Sequence, residues 1–227
     1  MRTHGLHSYL LGERAAVLQS TSSTIALDLQ QQLWAIGHAL RSLNICIDIV
    51  PGMNNLTAIF DPLVHSGAAM LALLNKLASE ISAQDFPGRE VEIPVHYGGE
   101  YGPDIGTVAA HTGLSIRELV ERHSAAHYLV YFLGFQPGFA YLGGLPPTLA
   151  TPRLAEPRLK VPAGSVGIGG SQTGIYPAAS PGGWQLIGRT DVCLFDVRKA
   201  SPSFLLPGDR VRFVIASLHC TAEARHV

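Results

Sequence analysis

The chain has 227 residues, 47% of them apolar and 15% charged, with a formal net charge of -1 and a pI near 6.8. That length suits one large domain or two small ones, and the apolar share supplies a sizeable core, which argues against disorder. No Lys/Arg block stands out and no apolar run approaches the roughly 18 residues of a spanning helix, so neither nucleic acid nor a membrane is an expected partner. Cys46, Cys193 and Cys220 are odd in number, far apart and free of any C-x-x-C pair, so neither a disulfide framework nor a zinc knuckle is indicated. No apolar run follows basic residues near Met1, so no secretory signal is expected and a cytoplasmic protein is the simplest expectation.

In chain order, "HSYLLG" and "AAVLQS" read as short strands around a turn at Gly12-Glu13. From about Thr24 to Leu43 the residues Ile25, Leu29, Leu33, Ile36 and Leu40 recur every three or four positions, which predicts a helix capped by Ser23 or Thr24. "ICIDIVPG" and "NLTAIFD" follow as strands around a turn at Pro51-Gly52-Met53-Asn54. A second helix, about Ser66 to Ser82, carries Met70, Leu73, Leu74 and Leu77 on one face. A sheet with two helices on one side satisfies these patterns.

"SAQDFPGRE" is polar, with Pro87-Gly88 at its middle, and reads as a boundary. After the strand "REVEIPVHY" come two short helices, "PDIGTVAAHTG", ended by Gly113, and "SIRELVERHSA", where Ser115 and Glu118 have capping-box spacing. "HYLVYFLGF" is a strongly apolar, central strand. Beyond Gln136, "VPAGSVGIGG", "TGIYPA", "GWQLIGRT", "CLFDV" and "DRVRFVI" are short strands split by Gly and Pro, the rhythm of a barrel or sandwich.

The glycine-dense stretch from Val161 to Thr190 invites comparison with phosphate loops. Gly169 and Gly174 have Walker spacing, but Ile175 and Tyr176 stand where Lys and Ser/Thr are needed, and "IYPAASPGGW" cannot continue as a helix. Gln172 occupies the last glycine position of a dinucleotide fingerprint, so that reading fails too. Ser165 in "AGSVG" lacks the following helix of a nucleophile elbow. His123 and His127 in "HSAAH" share a helical spacing but lack a zincin glutamate and a third ligand, so no metal site is expected. Glu100 and Asp104 beside His96 suit acid-base work, yet Asp104 as a helix cap is the plainer reading. Arg158, Lys160, Gln172, Tyr176, Trp184, Gln185 and Arg189 are hydrogen-bonding or amphipathic groups in this rigid frame, where Arg and Gln suit carboxylates and amides.

"FLGFQPGFAYLGGLP", "LATPRLAEPRLKVPAGSVGIGGSQTGIYP" and "SPGGWQLIGRT", with "VPGMNN" and "PVHYGGEYGPDIGTVAAHTGLS" upstream, resemble the family of the 5-oxoprolinase B component. That family also takes in allophanate hydrolase subunit 1, the KipI kinase inhibitors and part of the urea carboxylase carboxyltransferase region. The likeness runs from about Tyr9 to Phe213, with one departure at Ala140, where a proline is usual. It implies an α+β protein: a small ferredoxin-like α/β domain over residues 1–86 and a cyclophilin-like β-barrel of carboxyltransferase C/D type over residues 87–227.

The resemblance also implies the reaction, ATP-driven opening of 5-oxo-L-proline to L-glutamate. The lactam is stable, and phosphorylation of its amide oxygen opens it to water. ATP is then a co-substrate of the complex, with a site that is shared or lies on another component, and no tightly bound cofactor is expected. The A and C components of 5-oxoprolinase are the implied partners, C directly. Catalytic residues are not assigned. Within the matched motifs the substrate-facing candidates are Gln136, Arg158, Gln172, Tyr176, Trp184 and Arg189: an arginine for a carboxylate, Gln172 for the amide, Tyr176 and Trp184 for the ring. Rival roles stay open, namely a KipI-type inhibitor of a sensor histidine kinase and an allophanate hydrolase or urea carboxylase component. A prolyl isomerase, which the barrel alone would suggest, has no site signature here.

Overall fold

The computed structural model describes residues 5–22, 26–83 and 88–219. The expected cap at Ser23 or Thr24, the expected boundary at 86/87 and Cys220 lie outside them. Two compact units emerge, Met1–Pro87 and Gly88–Val227.

In the first unit β1 (Leu6–Leu11), β2 (Ala15–Ser20), β3 (Asp48–Gly52) and β4 (Asn55–Ile59) form an antiparallel sheet in the order β1-β2-β4-β3. Helices α1 (Leu27–Leu43) and α2 (Gly67–Glu80) follow β2 and β4. The crossover β2-α1-β3 straddles β4, a split βαβ unit, and the sheet order is that of a ferredoxin-like fold whose chain begins one strand earlier. Leu29, Leu33, Ile36 and Leu40 of α1 and Met70 and Leu74 of α2 bury against Ala16, Leu18, Ile49, Leu56 and Ala58, as the helical spacing predicts.

In the second unit seven strands close a barrel in the order β10-β7-β6-β13-β5-β12-β9. They are β5 (Glu90–Gly98), β6 (Tyr128–Leu133), β7 (Ala140–Gly143), β9 (Ser165–Gly169), β10 (Gln172–Ile175), β12 (Gln185–Arg189) and β13 (Arg210–His219); β8 (Arg158–Val161) and β11 (Ser180–Gly182) pair separately. Closure leaves no free edge to manage. Helices α3 (Ile105–Thr112) and α4 (Ile116–Ala125) contribute Ile105, Val108, Leu119 and Val120 to the barrel core. Gly113, in the left-handed region, ends α3, and the capping box of Ser115 and Glu118 starts α4, both as expected. "CLFDV" departs from expectation: only Phe195 forms a bridge, to Ser203, because Asp196 folds onto Arg198 and turns the chain.

His123 is fully buried among Tyr97, Tyr128 and Phe213, stacked 4.6 Å from Phe213. Its tautomer follows from its neighbours. Thr173 Oγ1 donates to Gly167 O, so it accepts from His123 Nε2 (3.1 Å), leaving Nδ1 to accept from Tyr97 OH (2.8 Å). The neutral ring is fully satisfied, and burial lowers its pKa from 6.5 to about 3. His127 is exposed, and no group of three His, Cys, Asp or Glu among the described residues could hold a metal ion.

Candidate functional site

The glycines of the Val161–Thr190 stretch make room for rings. A side chain at Gly169 would run into the Trp184 indole (2.5 Å to Cδ1), one at Gly174 would press on it at 3.1 Å, and one at Gly182 would meet the Tyr176 hydroxyl at 2.5 Å. Bare backbone on β9 and β10 therefore seats Trp184 flat on the barrel wall. Phe139 meets Trp184 edge to face at 5.7 Å and Tyr176 likewise at 5.7 Å, while Tyr176 and Trp184 are 6.3 Å apart. Such pairs each add about 0.5–1.5 kcal/mol beyond burial, so the wall is rigid before any ligand arrives.

These rings line an open pocket of about 260 Å³, shared with Phe135, Tyr141, Arg153, Pro157 and Pro181 to Gly183. The volume suits a small ring rather than a dinucleotide. Phe135, 62% exposed, stands at φ 64°, a conformation uncommon for a bulky residue. A tight loop imposes it: Gly134 N–H donates to Phe139 O, and Phe139 N–H to Gln136 O. Strain of this kind concentrates at ligand-facing positions. Burial pushes the Tyr176 phenol up, so it enters the pocket uncharged.

Arg153 supplies the pocket's cation. Its guanidinium lies 5.8 Å over the Trp184 ring. The backbone on either side is held in place: Gln185 Nε2 donates to Pro152 O (3.1 Å), Leu154 N–H donates to Gly183 O (2.7 Å), and Thr151 pairs with Gly170. An exposed arginine is thus carried on a fixed strap above an aromatic floor, where its guanidinium is available to an anionic group.

Of the six residues selected from sequence, Tyr176 and Trp184 line this pocket and the other four do not. Gln136 follows Phe135 and reaches only Ala178 O at 3.4 Å. Gln172 opens β10 with Nε2 buried and unpartnered. Arg158 donates from Nη2 to Asp104 Oδ1 at 2.6 Å, with Nη1 buried and unpartnered. Arg189 packs over Tyr101 at 4.7 Å. Asp104 stands at the α3 N-cap position without capping it by its side chain; Oδ2 instead accepts Leu186 N–H at 2.6 Å. Its side chain does not bond the α3 N-terminus; it is the buried carboxylate that fixes Arg158 and β12. Ser165 lies buried within β9, not on an elbow.

Sequence reasoning missed Arg153, Phe135, Phe139 and Tyr141. The aromatic spacing of "FQPGFAY" was the available signal for three of them; Arg153 carried none that set it apart from Arg158.

Comparison with known proteins matches residues 7–205 to the model of the carboxyltransferase domain, subdomains C and D. The B component of 5-oxoprolinase from Escherichia coli O157:H7 is 50% identical over 206 residues, 91% of this chain and 94% of that protein. The protein of the same name from Haemophilus influenzae is 48% identical over 204 residues, covering 90% and 95%. Among solved structures, TTHA0988 superposes with a TM-score of 0.79 at 37% identity; the match takes in 90% of this chain and 40% of that longer one.

Proposed function

Because the chain belongs to the family of carboxyltransferase subdomains C and D, we propose, from its end-to-end likeness to two 5-oxoprolinase B components, that it is the B component of an ATP-dependent 5-oxoprolinase. The observation that carries this reading is 50% identity over 206 residues, a match that takes in 94% of the Escherichia coli protein and so reaches beyond the barrel. The reaction is the opening of 5-oxo-L-proline to L-glutamate, driven by ATP within an assembly that includes the A and C components. The nucleotide is not assigned to this chain alone.

The aromatic pocket is the substrate-facing surface in this reading. The five-membered lactam enters the open pocket that these packed rings floor, its carboxylate takes the Arg153 guanidinium, and the neutral Tyr176 hydroxyl borders the amide. The apolar floor takes the ring, and the arginine selects its charge. Holding the lactam in a walled pocket keeps its amide carbon oriented while the oxygen is activated, which is where positioning lowers a barrier.

Fluorescence of Trp184 in a Trp34→Phe background tests this directly. Titration of 5-oxo-L-proline into the full chain is expected to give a saturable change, weakened about tenfold or more in Arg153→Gln, the loss of a charge-assisted contact. An unchanged KM for 5-oxo-L-proline in the assembled complex carrying Arg153→Gln removes the pocket from the reaction.

A further inference from the structure

Strand β12 begins beside Trp184 and ends at Arg189, which places those two residues about 16 Å apart at ~3.3 Å per residue. A second set of functional side chains gathers at the Arg189 end and shares no residue with the aromatic pocket. Tyr101 is its hub: the Arg189 guanidinium lies 4.7 Å over the ring, and the His96 and His219 rings are 5.2 and 5.1 Å away. Ser217 Oγ bridges the imidazoles, 2.7 Å from His96 Nδ1 and 2.7 Å from His219 Nε2. Asp191 adds a carboxylate, with Oδ2 3.6 Å from His96 Nε2 on a side chain 87% exposed.

Two backbone features assemble this group. Along β13, residues 211, 213 and 215 pair with 91, 93 and 95, but a bulge then skips Ala216 so that Ser217 pairs with His96 and His219 with Gly98. Without the extra residue Ser217 would pair with the buried Tyr97 and point into the barrel. The bulge turns Ser217 and His219 to the face that carries His96. Gly98 and Gly99 follow at φ 71° and 55°, and a side chain at Gly99 would strike the His219 Cβ at 2.9 Å, so this glycine pair makes the room in which His219 sits.

We propose that Arg189, His96, Ser217 and His219 form a binding site for a small oxyanion, a carboxylate or a phosphate group. No carboxylate of the described residues lies within ion-pair distance of Arg189, so among them the guanidinium held over Tyr101 has no anionic partner. Each neutral imidazole can carry its hydrogen on either nitrogen, so Ser217 Oγ can accept from both rings and turn its own hydrogen outward. An oxyanion then meets a guanidinium and a hydroxyl donor with the two imidazole edges alongside, the guanidinium contact being charge-assisted. Asp191 opposes the anion from its exposed position. The assignment does not depend on the reaction assigned to the aromatic pocket.

The test uses the full chain with inorganic phosphate and, separately, acetate. Imidazole C–H resonances, assigned through His96→Gln and His219→Gln, are expected to move together in a saturable way. Arg189→Gln and Ser217→Ala are expected to weaken binding by about tenfold or more. Response to phosphate alone, acetate alone or both identifies which oxyanion the site takes. Unmoved resonances, or undiminished binding in Arg189→Gln, would each overturn the assignment.

Discussion

His123 makes the barrel's stability steeply dependent on acid. The folded chain holds the ring neutral, with Nδ1 occupied by the Tyr97 hydroxyl and Nε2–H donated to Thr173, and its pKa falls from 6.5 to about 3. The unfolded chain accepts a proton near pH 6.5 and the folded chain does not until about 3. The full stability is therefore present above pH 6.5, declines as pH drops through the interval, and this contribution is gone below about 3. At 1.36 kcal/mol per pH unit the interval amounts to on the order of 5 kcal/mol, a large part of the roughly 5–15 kcal/mol that holds a domain together. Urea unfolding followed by Trp184 fluorescence in a Trp34→Phe background isolates the barrel. Between pH 6.5 and 5 the parent should lose about 2 kcal/mol more than His123→Gln, whose side chain cannot titrate. Parallel curves for the two proteins would refute the reasoning, since carboxylates contribute equally to both.

Gly169→Ala places a methyl group against the indole; overpacking of this kind costs about 1–3 kcal/mol, and the Trp184 emission should shift with it, whereas an unchanged spectrum and midpoint would contradict the seating of the ring on bare backbone. Arg158→Met strands the Asp104 carboxylate, whose side chain is 10% exposed; loss of about 3 kcal/mol is expected by chemical denaturation, with Asp104→Asn restoring part of it in the double variant, and additive losses would show that the two groups do not act as a pair.

Much of the fold was legible because local chemistry and tertiary packing agree. The 3–4 spacing from Leu29 to Leu40 is the buried face of α1, and Ser115 with Glu118 closes the capping box on α4. A barrel or sandwich followed from short strands between Gly and Pro, and the strands close as a barrel, although "CLFDV" shows that apolar composition alone does not make a strand when Asp196 and Arg198 turn the chain. The site was half legible. Tyr176 and Trp184 stood out as rings in a glycine frame, and the frame's purpose, to accommodate those rings, needed coordinates. Arg158 and Arg189 looked equivalent to Arg153 because an arginine's role lies in its partner. Asp104 is 54 residues from Arg158, and Ser217 is 121 residues from His96; no periodicity reports such pairings. The bulge at Ala216 is equally silent, since "VIASLH" reads as uninterrupted strand.

As one working part of a 5-oxoprolinase, this chain is tested by ADP release dependent on 5-oxo-L-proline, followed with this chain alone, with candidate A and C components alone, and with all three together. Turnover only in the three-component mixture, with glutamate formed in step with ADP, is the expected result. An intact, correctly assembled complex that releases no ADP in response to 5-oxo-L-proline would contradict it.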